Sequence, residues 1–250
     1  MEIFAAPKLK IERAKRHIRD LNNEIVSFTR KNPFKVVVEG NAFQYDFVIR
    51  VKEEIPENIS CYIGDVIHNL RAALDLLACD LVRRAGGNTN GVYFPFASGP
   101  GELEAAIVKR KIGRAGQDIV SIIRAMKPYT GGNKSLRAIH DLDIADKHLA
   151  LIPVATYAGL NNVRFTGVQG LESLLCEQVR ISPIKDGQLL IRAPAAANYK
   201  LGQQFNAIID ITFADGQPLS GEPILKALEE LIDLTNGIIS TFVVHCSGRQ

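Results

Sequence analysis

The sequence predicts an α+β protein, a helical bundle packed with a mostly antiparallel β-sheet. Three observations carry that prediction. Apolar residues recur at helical spacing in long stretches near 8–31, 57–85, 134–150 and 222–245. Residues 34–55 and 151–214 instead hold short runs of β-branched and aromatic residues broken by Gly, Asn and Pro. The helical stretches come from both ends and the middle of the chain, so their apolar faces must meet across large sequence separations. No internal repeat or low-complexity linker is present, and a single domain over 1–250 is expected.

The first helix sets Leu9, Ile11, Ile18, Leu21, Ile25 and Phe28 on an apolar face. Its outer face is basic, with Lys8, Lys10, Arg13, Lys15, Arg16 and Arg19, and Asn32-Pro33 stops it. A hairpin over 34–55 turns at Glu39-Gly40-Asn41, and its second half alternates Phe43, Tyr45, Phe47, Ile49 and Val51 onto one side. In the second long helix Ile59, Ile63, Val66, Leu70, Leu74, Leu77 and Leu81 step by three and four until Gly86-Gly87-Asn88. Tyr93-Phe94-Pro95-Phe96 reads as an extended plug packed inward. Two shorter helices follow near 101–112 and 115–127, ended by Pro128 and Gly131-Gly132. The next helix, 134–150, has Leu136, Ile139, Leu142, Ala145 and Leu149 as its apolar face. Strands are then expected at "LIPVATY", "NVRFTGV", "EQVRISPI", "QLLIRA" and "FNAIIDITF". Pro223 suits the first turn of the last helix.

Composition narrows the function classes. A chain of 250 residues, 46% hydrophobic and 23% charged, can bury a sizeable core without metal or disulfide staples. A net charge of +3 gives no general reason for nucleic-acid or membrane binding, although Lys109, Arg110, Lys111 and Arg114 form a basic knot near Arg124 and Lys127. The four cysteines (Cys61, Cys79, Cys176 and Cys246) include no Cys-x-x-Cys pair, and Cys61 and Cys79 read as small hydrophobes within an apolar helix. Neither a signal-peptide segment nor a run of about 20 apolar residues occurs. The expectation is a cytoplasmic, reduced protein with no membrane partner and no cofactor. Phosphate-loop and Gly-x-Ser-x-Gly signatures are absent from the sequence.

Two polar stripes stand out. In "HNLRAALDLLA" Arg71 and Asp75 are one turn apart on a single face, and His68 extends that stripe toward the N-terminus. In "HDLDIADKH" His140, Asp143 and Lys147 share a stripe, with Asp146 beside it and Asp141 and His148 directed elsewhere. Should the two helices pair through their leucine faces, the stripes meet at the edge of the seam. Histidine then suits proton transfer, the carboxylates proton or ligand binding, and Arg71 or Lys147 anion binding. The candidate catalytic residues are Arg71, His68 and His140, and the candidate ligand-binding residues Asp75, Asp143 and Lys147. The plainer reading is architectural: Arg–Asp at this spacing is a common intrahelical ion pair, and "HDLDIADKH" reads equally as a solvated face. As a metal motif the cluster is poor. His140 and His148 are eight apart, where paired helical ligands are four apart, so no dedicated metal site is expected.

The segments "YIGDVIHNLRAALDLLACDLV", "YFPF" and "LRAIHDLDIADKHLALIP" resemble an uncharacterised bacterial family over residues 60–153. That family carries Gly-Asp-x-x-His-Asn-Leu-Arg-x-Ala-Leu-Asp-His-Leu, a Phe-Pro loop and an Asp-Lys-His segment. The arginine helix is also distantly similar to the motif helix of HEPN domains, helical bundles that often dimerise. Many of these are metal-independent ribonucleases with an Arg-x-x-x-x-His signature. The resemblance implies RNA or nucleotide as partner and a homodimer. Here Arg71 is retained, but the position five residues on is Leu76, which can neither accept nor donate a proton. The leading expectation is an RNA- or nucleotide-binding protein with a degraded or altered ribonuclease site: a nuclease built on Arg71 if His68, His140 or His148 substitutes in space for the missing histidine, and otherwise an inactive binder. A non-catalytic small-ligand or interaction module near Tyr93–Phe96, and a metal-assisted hydrolase using His68, Asp75, His140 and Asp143, are the alternatives.

Overall fold

The computed structural model describes residues 3–148, 151, 153–166, 174–175, 181–194 and 198–248, and its fold is α+β. The order is α1 (Ala5–Arg30), β1 (Phe34–Gly40), β2 (Gln44–Val51), α2 (Asn58–Arg84), α3 (Leu103–Lys109), α4 (Gln117–Ala125), α5 (Lys134–His148), β3 (Pro153–Thr166), β4 (Leu174–Leu175), β5 (Gln188–Pro194), β6 (Asn198–Phe213) and α6 (Ile224–Ser247). No helix among the described residues is long and apolar enough to cross a membrane.

The chain forms two compact units, each assembled from segments far apart in sequence. The helical unit takes Met1–Asn22, Ser60–Leu151 and Leu225–Gln250; the strand unit takes Asn23–Ile59 and Ile152–Ile224.

In the helical unit the buried positions of α1 are Pro7, Ile11, Ala14, Ile18 and Leu21. That three-and-four spacing draws a stripe from which Leu9 departs, so Leu9 is 70% exposed rather than part of the apolar face. On α2, residues Ile63, Val66, Ile67, Leu70, Leu74 and Leu77 are fully buried. Cys61 is exposed, against its expected burial. Gly86 ends α2 with φ +76°, the left-handed conformation a helix stop requires. The helix expected over 101–112 is shorter: α3 stops at Lys109 because Lys111 adopts φ 57° and opens a separate 3-10 turn at Ile112–Ala115. Leu149 lies outside the described residues.

In the strand unit the sheets are antiparallel and three-stranded, ordered β1-β2-β5 and β4-β3-β6. Phe47, Ile49 and Ala193 form a buried cluster under the first, with Val36, Val38 and Ile191 packed against it. Phe43 is not on that face. It sits in the hairpin turn, where the Asn41 side-chain oxygen accepts hydrogen bonds from the Phe43 and Gln44 amides, and it is 84% exposed. "LIPVATY" and "NVRFTGV" contribute to one long strand, β3, instead of two, and β6 begins well before "FNAIIDITF". Residues 177–180 of "EQVRISPI" lie outside the described residues.

Candidate functional site

Both polar stripes lie in the helical unit, and side chains join them. His68 Nδ1 is 3.3 Å from Asp143 Oδ1, and Lys147 Nζ donates to Asp143 Oδ2 at 2.5 Å. Asp143 is buried, 5% exposed, while the His68 side chain is 56% exposed. A carboxylate only accepts, so His68 donates from Nδ1. The helices meet closely one turn earlier. At Gly64 a methyl group would collide with the Asp146 carboxylate, so this position tolerates no side chain while Asp146 keeps its rotamer. Burial, then the neighbouring Asp143 and Asp65 charges, raises the Asp146 carboxyl.

Arg71 and Asp75 make the expected ion pair, 2.5 Å between NH1 and Oδ1, but the pair is also a clamp on the loop before α3. The Phe94 amide donates to the same Asp75 oxygen at 2.9 Å, and the Arg71 guanidinium carbon lies 4.8 Å from the centroid of the Phe96 ring. Phe96 in turn stacks on His140, centroids 4.7 Å apart and planes within 5°. Burial raises the Asp75 carboxyl, although Arg71 and the Phe94 amide oppose it. The close ion pair and the upward shift pull in opposite directions; desolvation outweighs attraction in so enclosed a place. Burial, followed by the Arg71 and Arg137 charges, lowers His140 to about 4, and its Nδ1 is buried without a hydrogen-bond partner. His140 is therefore a neutral stacking partner at pH 7.

The plug is held from further sides. Arg137 binds Asp141 and donates to the Ala97 carbonyl at 2.8 Å, and Ala97 bridges to Tyr129. Phe94 and Pro95 are buried as expected, but Tyr93 is 45% exposed, its outer ring face taken up by Arg110. The basic knot is likewise engaged locally. Arg124 makes two hydrogen bonds to Glu104, and Lys111 and Arg114 donate to the carbonyls of Asn90 and Asn88.

The stripes thus converge as two separate centres, His68–Asp143–Lys147 and Arg71–Asp75–Phe96–His140. His148 is exposed in the last turn of α5. Among the described residues no group of three or more His, Cys, Asp or Glu side chains is arranged to hold a metal ion.

Sequence reading named no groove between α1 and α2, and this is where the open side chains gather. A cavity of about 560 Å³ is lined by Ala6, Leu9, Lys10, Arg13, His17, Asp65, His68, Asn69 and Leu76. Lys10 Nζ contacts Asn69 Oδ1 at 3.4 Å across it. Arg13 Nε donates to His17 Nε2 at 3.0 Å, which places the His17 proton on Nδ1. That Nδ1 is buried with no hydrogen-bond partner, 3.6 Å from Asp65 Oδ2. The available signal was the row Ala6, Leu9, Lys10, Arg13 and His17 at helical spacing, which reads in isolation as an ordinary basic face.

The fold and these two centres define the class, an α+β protein with a polar groove on its helical unit. No family model, no curated protein and no solved structure matches the chain.

Proposed function

We propose that the helical unit binds ligands of the nucleotide class, RNA or free nucleotides, in the α1–α2 groove, and that its ribonuclease-like centre is degraded. One observation carries the reading: Lys10, Arg13, His17 and His68 share an open groove with a single carboxylate, Asp65, and with the apolar surfaces of Leu9 and Leu76. Cations suit phosphate, and exposed apolar side chains suit the face of a base. The Arg-x-x-x-x-His chemistry lacks both its parts. Arg71 is only 8% exposed and committed to Asp75 and Phe96, and position 76 offers an isobutyl group.

The test is fluorescence anisotropy of a labelled 12-nucleotide RNA titrated with the purified protein at several salt concentrations, followed by a gel of the recovered RNA. Binding that weakens with salt, falls about tenfold or more in the Lys10→Gln, Arg13→Gln double variant, and leaves the RNA intact is expected. If the double variant binds as the wild type does, the groove is not the site.

A further inference from the structure

The groove has a direction. Lys10 reaches Asn69 and His17 lies beside Asp65, so α1 and α2 run antiparallel along it. Ala6 and Leu9, one to four residues before Lys10, therefore fall toward Leu76, seven residues after Asn69. Arg13 and His17 fall toward Asp65 and His68. One end is apolar and open, with Leu9 70% exposed; the other is polar and cationic. From Ala6 to His17 the wall is about 16 Å long at 1.5 Å per residue. The cavity, about 560 Å³, is within the size of small-molecule sites, roughly 300–1,000 Å³.

We infer that the groove is a site for one nucleoside monophosphate unit in a fixed orientation, its base on Leu9 and Leu76 and its phosphate at Arg13, His17 and His68. This rests on the nucleotide-class reading above and narrows it. The polar end supplies donors for phosphate oxygens. Arg13 brings a permanent charge and a guanidinium with further N–H groups beyond the one given to His17. His17 Nδ1 is buried with no hydrogen-bond partner and lies 3.6 Å from Asp65 Oδ2, so a phosphate oxygen takes this position only as the exposed Asp65 carboxylate turns aside, and it then removes the cost of leaving the N–H unpaired. His68, whose Nδ1 is held by Asp143, presents its exposed ring edge at the rim as a further polar contact. Leu76, the residue that departs from the family motif, is on this reading a base contact rather than a lost proton carrier.

Isothermal titration of the full chain with adenosine 5′-monophosphate, adenosine and inorganic phosphate, with a labelled RNA hexamer in competition, tests the inference. The monophosphate is expected to bind at least tenfold tighter than adenosine or phosphate and to displace the hexamer. Leu9→Ser, at an exposed position that does not endanger folding, and Leu76→Ser should each weaken the monophosphate about three- to tenfold and leave phosphate within twofold. Arg13→Gln should weaken both. If the hexamer binds and Arg13→Gln abolishes it, yet the monophosphate does not compete, the single-nucleotide site is wrong while the groove still binds RNA. Equal binding of phosphate and monophosphate, or no effect of either leucine variant, overturns the orientation. If no probe binds, both readings fall.

Discussion

His68 and Asp143 are 75 residues apart in the chain, yet His68 Nδ1 and Asp143 Oδ1 approach to 3.3 Å. The contact ties α2 to α5 at the rim of the groove, and it places an exposed imidazole on a buried carboxylate already neutralised by Lys147. Four predictions follow from this part of the molecule.

Asp75 holds the loop through a charge and an amide at once. Asp75→Ala strips Arg71 of its partner while the guanidinium stays enclosed, and it leaves the Phe94 N–H without an acceptor. A loss of about 3 kcal/mol is expected, read by urea denaturation, with Asp75→Asn losing less because its amide oxygen still accepts. Unchanged midpoints for both would show that the clamp is not structural.

His140 makes stability depend on acid. Its folded value, about 4, lies below the ordinary 6.5, so the unfolded chain takes up a proton that the folded ring refuses. Its contribution is complete above about 6.5 and disappears as pH falls toward 4. About 2 kcal/mol is expected over that window, discounted for the ring's partial contact with solvent. His140→Phe keeps a ring on Phe96 and cannot titrate. Denaturation of the two proteins at pH 7.5 and 4.5 should show wild type losing about that much more; parallel losses would assign the acid sensitivity elsewhere.

Gly64 and Asp146 form a steric pair. Gly64→Ala gains helix propensity, about 0.5–1 kcal/mol, but drives a methyl into the Asp146 carboxylate, so a net loss of about 1–2 kcal/mol is expected. The double variant Gly64→Ala, Asp146→Ala removes the collision and should be clearly more stable than Gly64→Ala alone. Additive effects in the cycle would deny the close approach of α2 and α5.

Leu76→His restores the missing histidine of the Arg-x-x-x-x-His pattern in sequence. No gain of RNA cleavage is expected, because Arg71 remains bound to Asp75 and Phe96. A labelled-RNA gel compares the variant with wild type. Cleavage that appears with Leu76→His and vanishes with an added Arg71→Ala would show that Arg71 can leave its partners.

What was legible in the residues follows the range of the interactions. Helix positions are set by local periodicity and by stops such as Asn32-Pro33 and Gly86, and all four long helices form close to their expected bounds. Pairs one turn apart were equally visible, because backbone geometry alone puts Arg71 beside Asp75 and Lys147 beside Asp143. Leu9 and Phe43 show the edge of that reasoning. Each has the residue type of a core position, but a stripe of better-placed neighbours excludes the first and a turn claims the second.

By itself the sequence determined an α+β chain, its helix faces and the two stripes of ionisable groups. Only the tertiary structure decided that Phe96 fills the space between Arg71 and His140, that Asp143 serves His68, and that α1 and α2 leave a groove between them. The reason is physical. Neighbours within a turn are fixed by the bonds of the backbone, whereas distant partners are selected by close packing of whole faces, which no local pattern of residues encodes.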